Sequence, residues 1–337
     1  MISLGLRPVM ARSKAASREF ALIARHFAPL ATHRAALALR DDAALLVPEK
    51  GHSLVITKDA IAEGVHFLAS DPMDLVARKL LRVNVSDLAA KGAKPLGYFL
   101  ATAFPDGTTD QAVAMFCKGL KADQKTYGLS LLGGDTIRTF GPAVFSCTMI
   151  GTVAGRRFVS RNGAKPGDDL WVTGTLGDSG QGLALLQQRA TAPEKAASAL
   201  MRRYWLPSPP FSFHAHLAGL AHAALDVSDG LLQDAGHLAE LGGVQLAVRL
   251  EAIPLSSAFV KSAGRSNAAK LTAATSGDDY QILFSAPAAA RERVQAAARA
   301  SRTKVTCIGT VKKGRGVIVL DAHGLDVTPE RTGYTHF

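Results

Sequence analysis

The chain has 337 residues, of which 47% are hydrophobic and 20% are charged, so it is long enough for two globular domains and is not a disordered protein. No uninterrupted apolar run approaches the roughly 18 residues that a membrane span requires, so we expect no membrane partner. Cys117, Cys147 and Cys307 lie far apart without a CxxC pair, which argues against a disulfide framework or zinc ribbon and favours a cytoplasmic protein.

The net charge of +11 is concentrated at the N-terminus. Residues 1–40 contain seven Lys or Arg and one Glu, which leaves only +5 for the other 297 residues. A nearly balanced body with 6% aromatic residues argues against a nucleic-acid-binding face. We expect residues 1–16 to form a basic, disordered extension; a transit peptide, or a true start at Met10, are the alternatives.

Periodicity and turn signals predict alternating helices and strands in the first half. In chain order these are a helix from about Ser17, a strand “SLVITK”, a helix over “MDLVARKLLRVNVSDLAAKGAKP” that stops at Gly92–Pro95, a strand “LGYFLATAF”, a helix over Ala112–Tyr127, the short run “SLLGGD” and a strand “AVFSCTMIGTV”. The Gly- and Pro-rich segment “RNGAKPGDDL” follows and indicates a domain boundary close before it. We therefore predict two domains, 17–153 and 154–337.

The second half is also predicted to contain both helices and strands. The predicted elements are a strand “LWVTG”, helices “SGQGLALLQQR” and “KAASALMRRYW”, a strand into “LDVSDG”, a helix to about Leu241, strands “VQLAVRL” and “DDYQILFSA”, a helix over Ala288–Ala300, and strands “KVTCIGTV” and “GVIVL”. Ser228 or Asp229 is predicted to cap the helix that follows “LDVSDG”. The predicted fold class is α+β, with two mixed domains.

One acidic residue falls on an apolar stripe of a predicted helix. The stripe runs through Val76, Leu80 and Val83, and one further helical step reaches Asp87. A buried carboxylate without a partner is costly, so Asp87 needs a cation or hydrogen-bond donors. Asp226 similarly stands between Leu225 and Val227, where helix capping does not explain it.

Other Asp residues also end or interrupt apolar segments. They occur in “LRDDAALL”, “VITKDA” and “SLLGGDT”, and the chain has 20 Asp against 8 Glu. Turns and helix caps explain any one of them, but the set together favours a pocket that holds Mg²⁺ and a nucleotide. Neither GxxxxGK[ST] nor GxGxxG is present, so the phosphates would be held through metal ions.

Seven segments, in order, resemble the motifs of the thiamine-monophosphate kinase family, and the terminal “GYTHF” resembles that family's ending. The segments are “DDAALL”, “TKDAIAEGVHF”, “VNVSDLAAKGAKP”, “SLLGGDT”, “SRNGAKPGDDLWVTGTLGDSG”, “LDVSDGLLQD” and “TSGDDYQILF”. The resemblance covers about Ser17 to Phe337. It implies a PurM-like architecture, shared with aminoimidazole ribonucleotide synthetase, in which residues 17–153 bind ATP and metal and pair in a homodimer.

The resemblance also implies a reaction and a set of site residues. The γ-phosphate of ATP would be transferred in line onto thiamine monophosphate with several Mg²⁺ ions, and Asp42, Asp87 and Asp226 would be catalytic. Thiamine monophosphate would contact His66 and Asp278. The implied metal ligands are Asp42, Thr57, Asp59, Asp87, Asp135, Asp226 and Asp229, and the implied ATP contacts are Gly134, Asp135, Arg161 and Ser228.

Three positions depart from the family pattern. Arg40 replaces a glycine, Lys58 replaces a hydroxyl residue that supplies a metal ligand, and Asp278 replaces a glutamate. An ammonium cannot ligate a metal, because it has donors and no lone pair. Lys58 could turn to solvent on the opposite face of its strand, or its charge could stand in for a metal ion. The nearest alternative function is another ATP-dependent synthetase of the same superfamily.

Overall fold

The computed structural model describes residues 21–335. The predicted extension 1–16 and the predicted helix start at Ser17 lie outside the described residues. The described chain begins with a π-helical turn at Ile23–Phe27 and short 3-10 segments at Ala28–Leu30 and Arg34–Leu39. A membrane-crossing helix must be both long and apolar, and none of the helices between residues 21 and 335 meets both conditions.

The first sheet has four strands in the order β1-β4-β2-β3. Strand β4 is antiparallel to both β1 and β2, whereas β3 runs parallel to β2. The elements that build this half are β1 (His52–Ala62), α1 (Met73–Ala90), β2 (Lys94–Pro105), α2 (Asp110–Tyr127), β3 (Leu131–Thr139) and β4 (Val144–Ala154). Strands β1 and β3 are therefore the two edges of this sheet.

The two helices cover one face of the first sheet. Leu80 of α1 and Phe116 of α2 pack with Tyr98 and Phe145 of the strands, and all four are buried. Side chains alternate along a strand, and the burial of Val55 and Ile61 directs the odd-numbered residues of β1 toward the helices. This alternation places Thr57 and Asp59 on the helix side and Lys58 on the outer face.

The second sheet has six strands in the order β10-β7-β9-β5-β8-β6. Its elements are β5 (Asp168–Thr173), α3 (Asp178–Leu186), α4 (Glu194–Trp205), α5 (His214–Leu217), β6 (Ala223–Val227), α6 (Leu231–Gly242), β7 (Gln245–Arg249), α7 (Ser257–Ala263), α8 (Asn267–Thr275), β8 (Gln281–Pro287), α9 (Arg291–Ser301), β9 (Val305–Lys312) and β10 (Gly316–Leu320). Short 3-10 turns lie at Phe211–Phe213, Leu250–Ala252 and Ala288–Ala290.

Helix α1 joins the two halves. Ala89 and Ala90, in its last turn, pack in one buried cluster with Trp171 and Phe284 of the second sheet. Small residues at that end let the helix approach the sheet closely. The last turns of α1 therefore lie between the two sheets, and Asp87 belongs to them.

The sequence did not predict α7 and α8, which fill the connection between β7 and β8. Both begin at a serine cap, because Ser256 Oγ accepts the Phe259 N–H at 3.0 Å and Ser266 Oγ accepts the Ala269 N–H at 3.2 Å. Each cap satisfies a backbone donor that has no partner within the helix. These two serines are the sequence signal that could have located both helices.

Candidate active site

A cavity of about 1200 Å³ lies between the two halves and is lined by residues of both. This volume is sufficient for two small phosphorylated ligands. Most of the site residues implied by the sequence contribute to its wall: Thr57, Asp59, His66, Asp87, Arg161, Asp226, Ser228, Asp229 and Asp278.

Carboxylates from β1 and α1 meet on one side of the cavity. The Thr57 hydroxyl donates a hydrogen bond to a carboxylate oxygen of Asp87. Burial, together with the negative charge of Asp87, raises the pKa of Asp59 from 3.8 to about 7. Burial and proximity to Asp87 thus make ionisation of Asp59 unfavourable in the absence of a cation.

A third carboxylate comes from the second half. Asp226, near the end of β6, is only 5% exposed. Burial and the charge of Asp87 raise its pKa well above the usual range. Three elements distant in sequence therefore direct Asp59, Asp87 and Asp226 at one another. A set of oxygen donors with this much negative charge suits a hard divalent cation such as Mg²⁺.

The turn after β6 differs from the prediction that Ser228 or Asp229 caps the following helix. The backbone N–H groups of both residues instead donate to Asp234 Oδ2, each at 3.0 Å, so a carboxylate inside α6 holds the turn. The Ser228 and Asp229 side chains are left to line the cavity. Ligand atoms of Asp229, Asp234 and His237 lie within 4.8 Å of one another.

Arg161 and Lys91 are two of the cationic residues in the cavity wall. Arg161 is held at the cavity by the loop before β5, where the Ser160 carbonyl accepts the Ala224 N–H at 3.0 Å. Lys91, directly after α1, donates to the Ala224 carbonyl at 2.7 Å. Burial and the charge of Arg161 lower the pKa of Lys91 to about 8. The sequence analysis missed Lys91, although it lies one helical turn after Asp87.

Asp278 and His66 lie at another part of the wall. His66 Nδ1 accepts the Ala62 N–H at 3.1 Å, so the neutral ring carries its proton on Nε2. Asp278 Oδ2 accepts a hydrogen bond from Lys79 Nζ at 2.7 Å and Oδ1 accepts one from the Tyr280 hydroxyl at 3.1 Å. The adjacent Asp279 is buried and accepts the Gly177 N–H at 2.8 Å, so its carboxylate has a structural role.

The loop that carries Asp278 is tightly pinned to the turn after β6. The N–H groups of Asp278 and Tyr280 donate to the carbonyls of Ser228 and Val227, both at 2.7 Å. A Cβ at Gly277 would lie 2.6 Å from the Ser228 carbonyl, so only glycine fits there. Strand β8 begins at Gln281, later than predicted, because Asp278 and Tyr280 both have positive φ.

The C-terminal segment contributes an aromatic residue that the sequence analysis had not assigned to the site. Tyr334 lines the cavity and is 42% exposed, and its N–H donates to the Asp229 carbonyl at 2.9 Å. The sequence feature that could have indicated Tyr334 is the ending “GYTHF”, whose last two residues lie outside the described part of the chain.

Asp42, Gly134 and Asp135 do not line this cavity. Asp42 is exposed in the irregular segment before β1, and Asp135 is exposed on the edge strand β3, where its Oδ1 accepts the Thr136 N–H at 2.9 Å. A Cβ at Gly134 would lie 2.0 Å from the Leu100 carbonyl, so close packing of β2 against β3 requires glycine there. Residues 42, 134 and 135 thus all lie outside the cavity.

Lys58 contributes to the cavity wall, but its ammonium is turned away from the converging carboxylates. Its Nζ donates to Ser146 Oγ at 2.8 Å on the outer face of the first sheet. Asp135 is in register with Ala101, and Ala101 with Ser146, so Asp135 lies on that face too, at the opposite edge.

The raised pKa values predict how the stability of the metal-free protein depends on pH. Asp59 and Asp234 have a folded pKa of about 7 against 3.8 ordinarily, so the folded state retains protons that the unfolded chain releases. Their contribution is complete below about pH 4 and is lost as the pH rises through about 7. In EDTA at constant ionic strength, we expect the melting temperature to be lower at pH 8 than at pH 5.5.

Differential scanning calorimetry would measure this difference, and Asp226→Asn should reduce it because burial also raises the pKa of Asp226 and an amide does not titrate. A melting temperature in EDTA that is unchanged or rises from pH 5.5 to pH 8 would contradict the expected repulsion.

In a comparison with known proteins, the two halves match the two domains of one protein family. Residues 40–153 match the family model described as AIR synthase related protein, N-terminal domain, and residues 165–321 match its C-terminal domain. These matches confirm the predicted PurM-like fold class. A Caulobacter vibrioides thiamine-monophosphate kinase is 44% identical over 304 residues, which are 89% of this chain and 85% of the relative.

Two solved structures agree in fold. Thiamine-monophosphate kinase from Stenotrophomonas maltophilia K279a aligns with a TM-score of 0.78 at 38% identity, covering 83% of this chain and 89% of that chain. The structure of AaThiL complexed with AMPPCP and TMP aligns with a TM-score of 0.76 at 31% identity, covering 99% of this chain and all of that chain, 100%. The chain therefore belongs to the thiamine-monophosphate kinase family, whose members are kinase enzymes.

Proposed function

We propose that this protein transfers the γ-phosphate of ATP directly to thiamine monophosphate and so produces thiamine diphosphate. The observation that carries the proposal is the convergence of Asp59, Asp87 and Asp226, from three elements, in a cavity that also contains Arg161 and Lys91. The relative AaThiL, which was solved with AMPPCP and TMP, supports both substrates.

The donor set fits Mg²⁺. Asp59, Asp87, Asp226 and the Thr57 hydroxyl offer only oxygen ligands, and burial together with the charge of Asp87 raises the pKa values of Asp59 and Asp226. These residues would hold the ions, and Asp229 would hold a further one. Bound Mg²⁺ would neutralise charge on the phosphates of the two substrates.

The remaining residues of the cavity would bind and orient the substrates. Arg161 and Ser228 would contact ATP, and Lys91 would add a point charge near the transferred phosphate. His66 Nε2–H would donate to the phosphate side of thiamine monophosphate, while Asp278 and the Tyr334 ring would face its cationic thiazolium. No general base is needed, since the accepting phosphate oxygen is already ionised; catalysis consists of positioning and charge neutralisation.

We also propose that the active unit is a homodimer. The edges of β1 and β3 have no partner strand among residues 21–335. The outer face carries Leu54, Ile56 and Val144 with large exposed fractions, 62% for Ile56. If β1 of one subunit pairs with β3 of its partner, Asp135 of the partner subunit reaches the edge that carries Asp59. Pairing across a two-fold axis would bring Gly134 and Asp135 of the partner subunit beside the cavity.

Lys58 has a specific expected role in this dimer. Its ammonium lies at the β1 edge on the face that would meet Asp135 of the partner subunit, so it can replace a metal ion as the neutralising charge. Lys58→Ala should slow turnover by about tenfold, a loss of ~1.4 kcal/mol of transition-state stabilisation. Lys58→Thr should retain activity and require more Mg²⁺ for half-maximal rate. Steady-state kinetics over a Mg²⁺ titration would measure the turnover and the Mg²⁺ requirement of both variants. If Lys58→Ala has the same kinetics as the parent, the lysine has no role in the reaction.

A synthetase of the same superfamily would also consume ATP but would activate a carbonyl. ADP formation that depends on thiamine monophosphate and Mg²⁺ supports the kinase. ATP consumption that is unaffected by thiamine monophosphate would favour the synthetase.

A further inference from the structure

Lys79 is a lysine in the interior of the protein. It lies on α1, its side chain is only 3% exposed, and it does not line the cavity. Its Nζ donates to the His66 carbonyl at 2.8 Å and to Asp278 Oδ2 at 2.7 Å, and it lies 4.2 Å from the centroid of the Tyr204 ring. Burying an ammonium is costly, so these contacts must compensate for the water that it loses.

The two hydrogen bonds join segments from different halves of the chain. The His66 carbonyl belongs to the connection between β1 and α1, while Asp278 belongs to the loop before β8. Lys79 itself is on α1, so a single ammonium fixes the distance between these segments. Both segments present a side chain to the same cavity.

The orientation of Asp278 depends on this arrangement. Its backbone has a φ of +68°, which a residue other than glycine adopts at a cost, and Tyr280 has a φ of +50°. Both carboxylate oxygens are engaged, one by Lys79 and one by the Tyr280 hydroxyl. Without Lys79 the carboxylate would lose its cationic partner and one of its two fixed contacts.

We propose that Lys79 is a positioning residue for thiamine monophosphate, which holds the His66 segment and Asp278 in the arrangement that binds this substrate. The inference rests on the proposed function. Lys79 does not touch the carboxylates that would hold Mg²⁺, so its effect is confined to the thiamine monophosphate side and leaves the ATP side unchanged.

Kinetics of Lys79→Met test this proposal, because methionine has a similar length and no charge. We expect the KM for thiamine monophosphate to rise by about tenfold or more, while the KM for ATP stays within about twofold. The matched control is Lys118→Met, which removes the same charge from an exposed position on α2 and should leave both KM values unchanged.

A double-mutant cycle with Asp278→Asn supplies the second readout. If Lys79 acts through Asp278, the double variant should bind thiamine monophosphate about as weakly as the weaker single variant. Fully additive effects, or an equal rise in both KM values, would overturn the proposal. Should Lys79→Met not fold, the same measurements apply to Lys79→Gln, whose amide can donate one of the two hydrogen bonds.

Measurements on the parent enzyme distinguish a failure of the proposed function from a failure of this inference. A parent protein that forms no ADP with thiamine monophosphate would overturn the proposed function and this inference together. An active parent with a folded Lys79→Met variant that has the same KM for thiamine monophosphate would overturn this inference alone.

Discussion

Asp87→Asn and Asp226→Asn are each expected to lower turnover by about three orders of magnitude while the protein stays folded. Both carboxylates belong to the set that would hold Mg²⁺, and neither forms a salt bridge with a Lys, Arg or His side chain among residues 21–335. An amide keeps the shape of the side chain but removes the charge that binds the ion. Because the carboxylates repel one another without metal, the melting temperature in EDTA should stay level or rise.

Asp169→Asn is the matched control for this prediction. Asp169 is also buried, but it pairs with Arg291, whose Nη2 donates to Asp169 Oδ1 at 2.8 Å outside the cavity. Its substitution should lower the melting temperature and leave turnover of the folded enzyme intact. If Asp87→Asn and Asp226→Asn instead behave like this control, the two residues are structural.

Mixing two inactive variants is expected to restore activity if the active unit is the proposed homodimer. Asp59→Asn and Asp135→Asn should each be inactive alone. When subunits exchange at random, half of the dimers are mixed, and each mixed dimer has one site with an intact Asp59 and an intact Asp135 of the partner subunit. We expect about a quarter of the parent activity.

The complementation requires that the variants be mixed and allowed to exchange subunits, with each variant alone as the baseline. A mixture of Asp59→Asn with Asp87→Asn is the control, since the structure places both residues in one subunit's cavity. No recovery from the first mixture, or a monomeric mass by light scattering, would contradict the proposed dimer site.

Local patterns were sufficient to predict the elements that carry the cavity residues. The predicted strand “SLVITK” lies within β1, and alternation already permitted Thr57 and Asp59 to face one side and Lys58 the other. The apolar stripe through Val76, Leu80 and Val83 did lead to Asp87 at the side of α1 that faces the cavity. These features depend on residues close in sequence, so periodicity reveals them.

Features that depend on distant contacts were not predictable in this way. The role of Asp234 in the turn after β6 requires a carboxylate that reaches back from inside a helix, so Ser228 and Asp229 appeared to be the caps. Lys79 looked like an ordinary helical lysine, because its partners are 13 and 199 residues away. The same applies to Gly134 and Asp135, whose place outside the cavity follows from the strand order.

Transfer of labelled phosphate tests the central claim most directly. The protein would be incubated with ATP labelled in the γ-phosphate, thiamine monophosphate and Mg²⁺, and the products separated by chromatography. With direct transfer, we expect label in thiamine diphosphate in an amount equal to the ADP formed, with none released as inorganic phosphate. Label that appears only as inorganic phosphate, or ADP formation without labelled thiamine diphosphate, would contradict direct transfer.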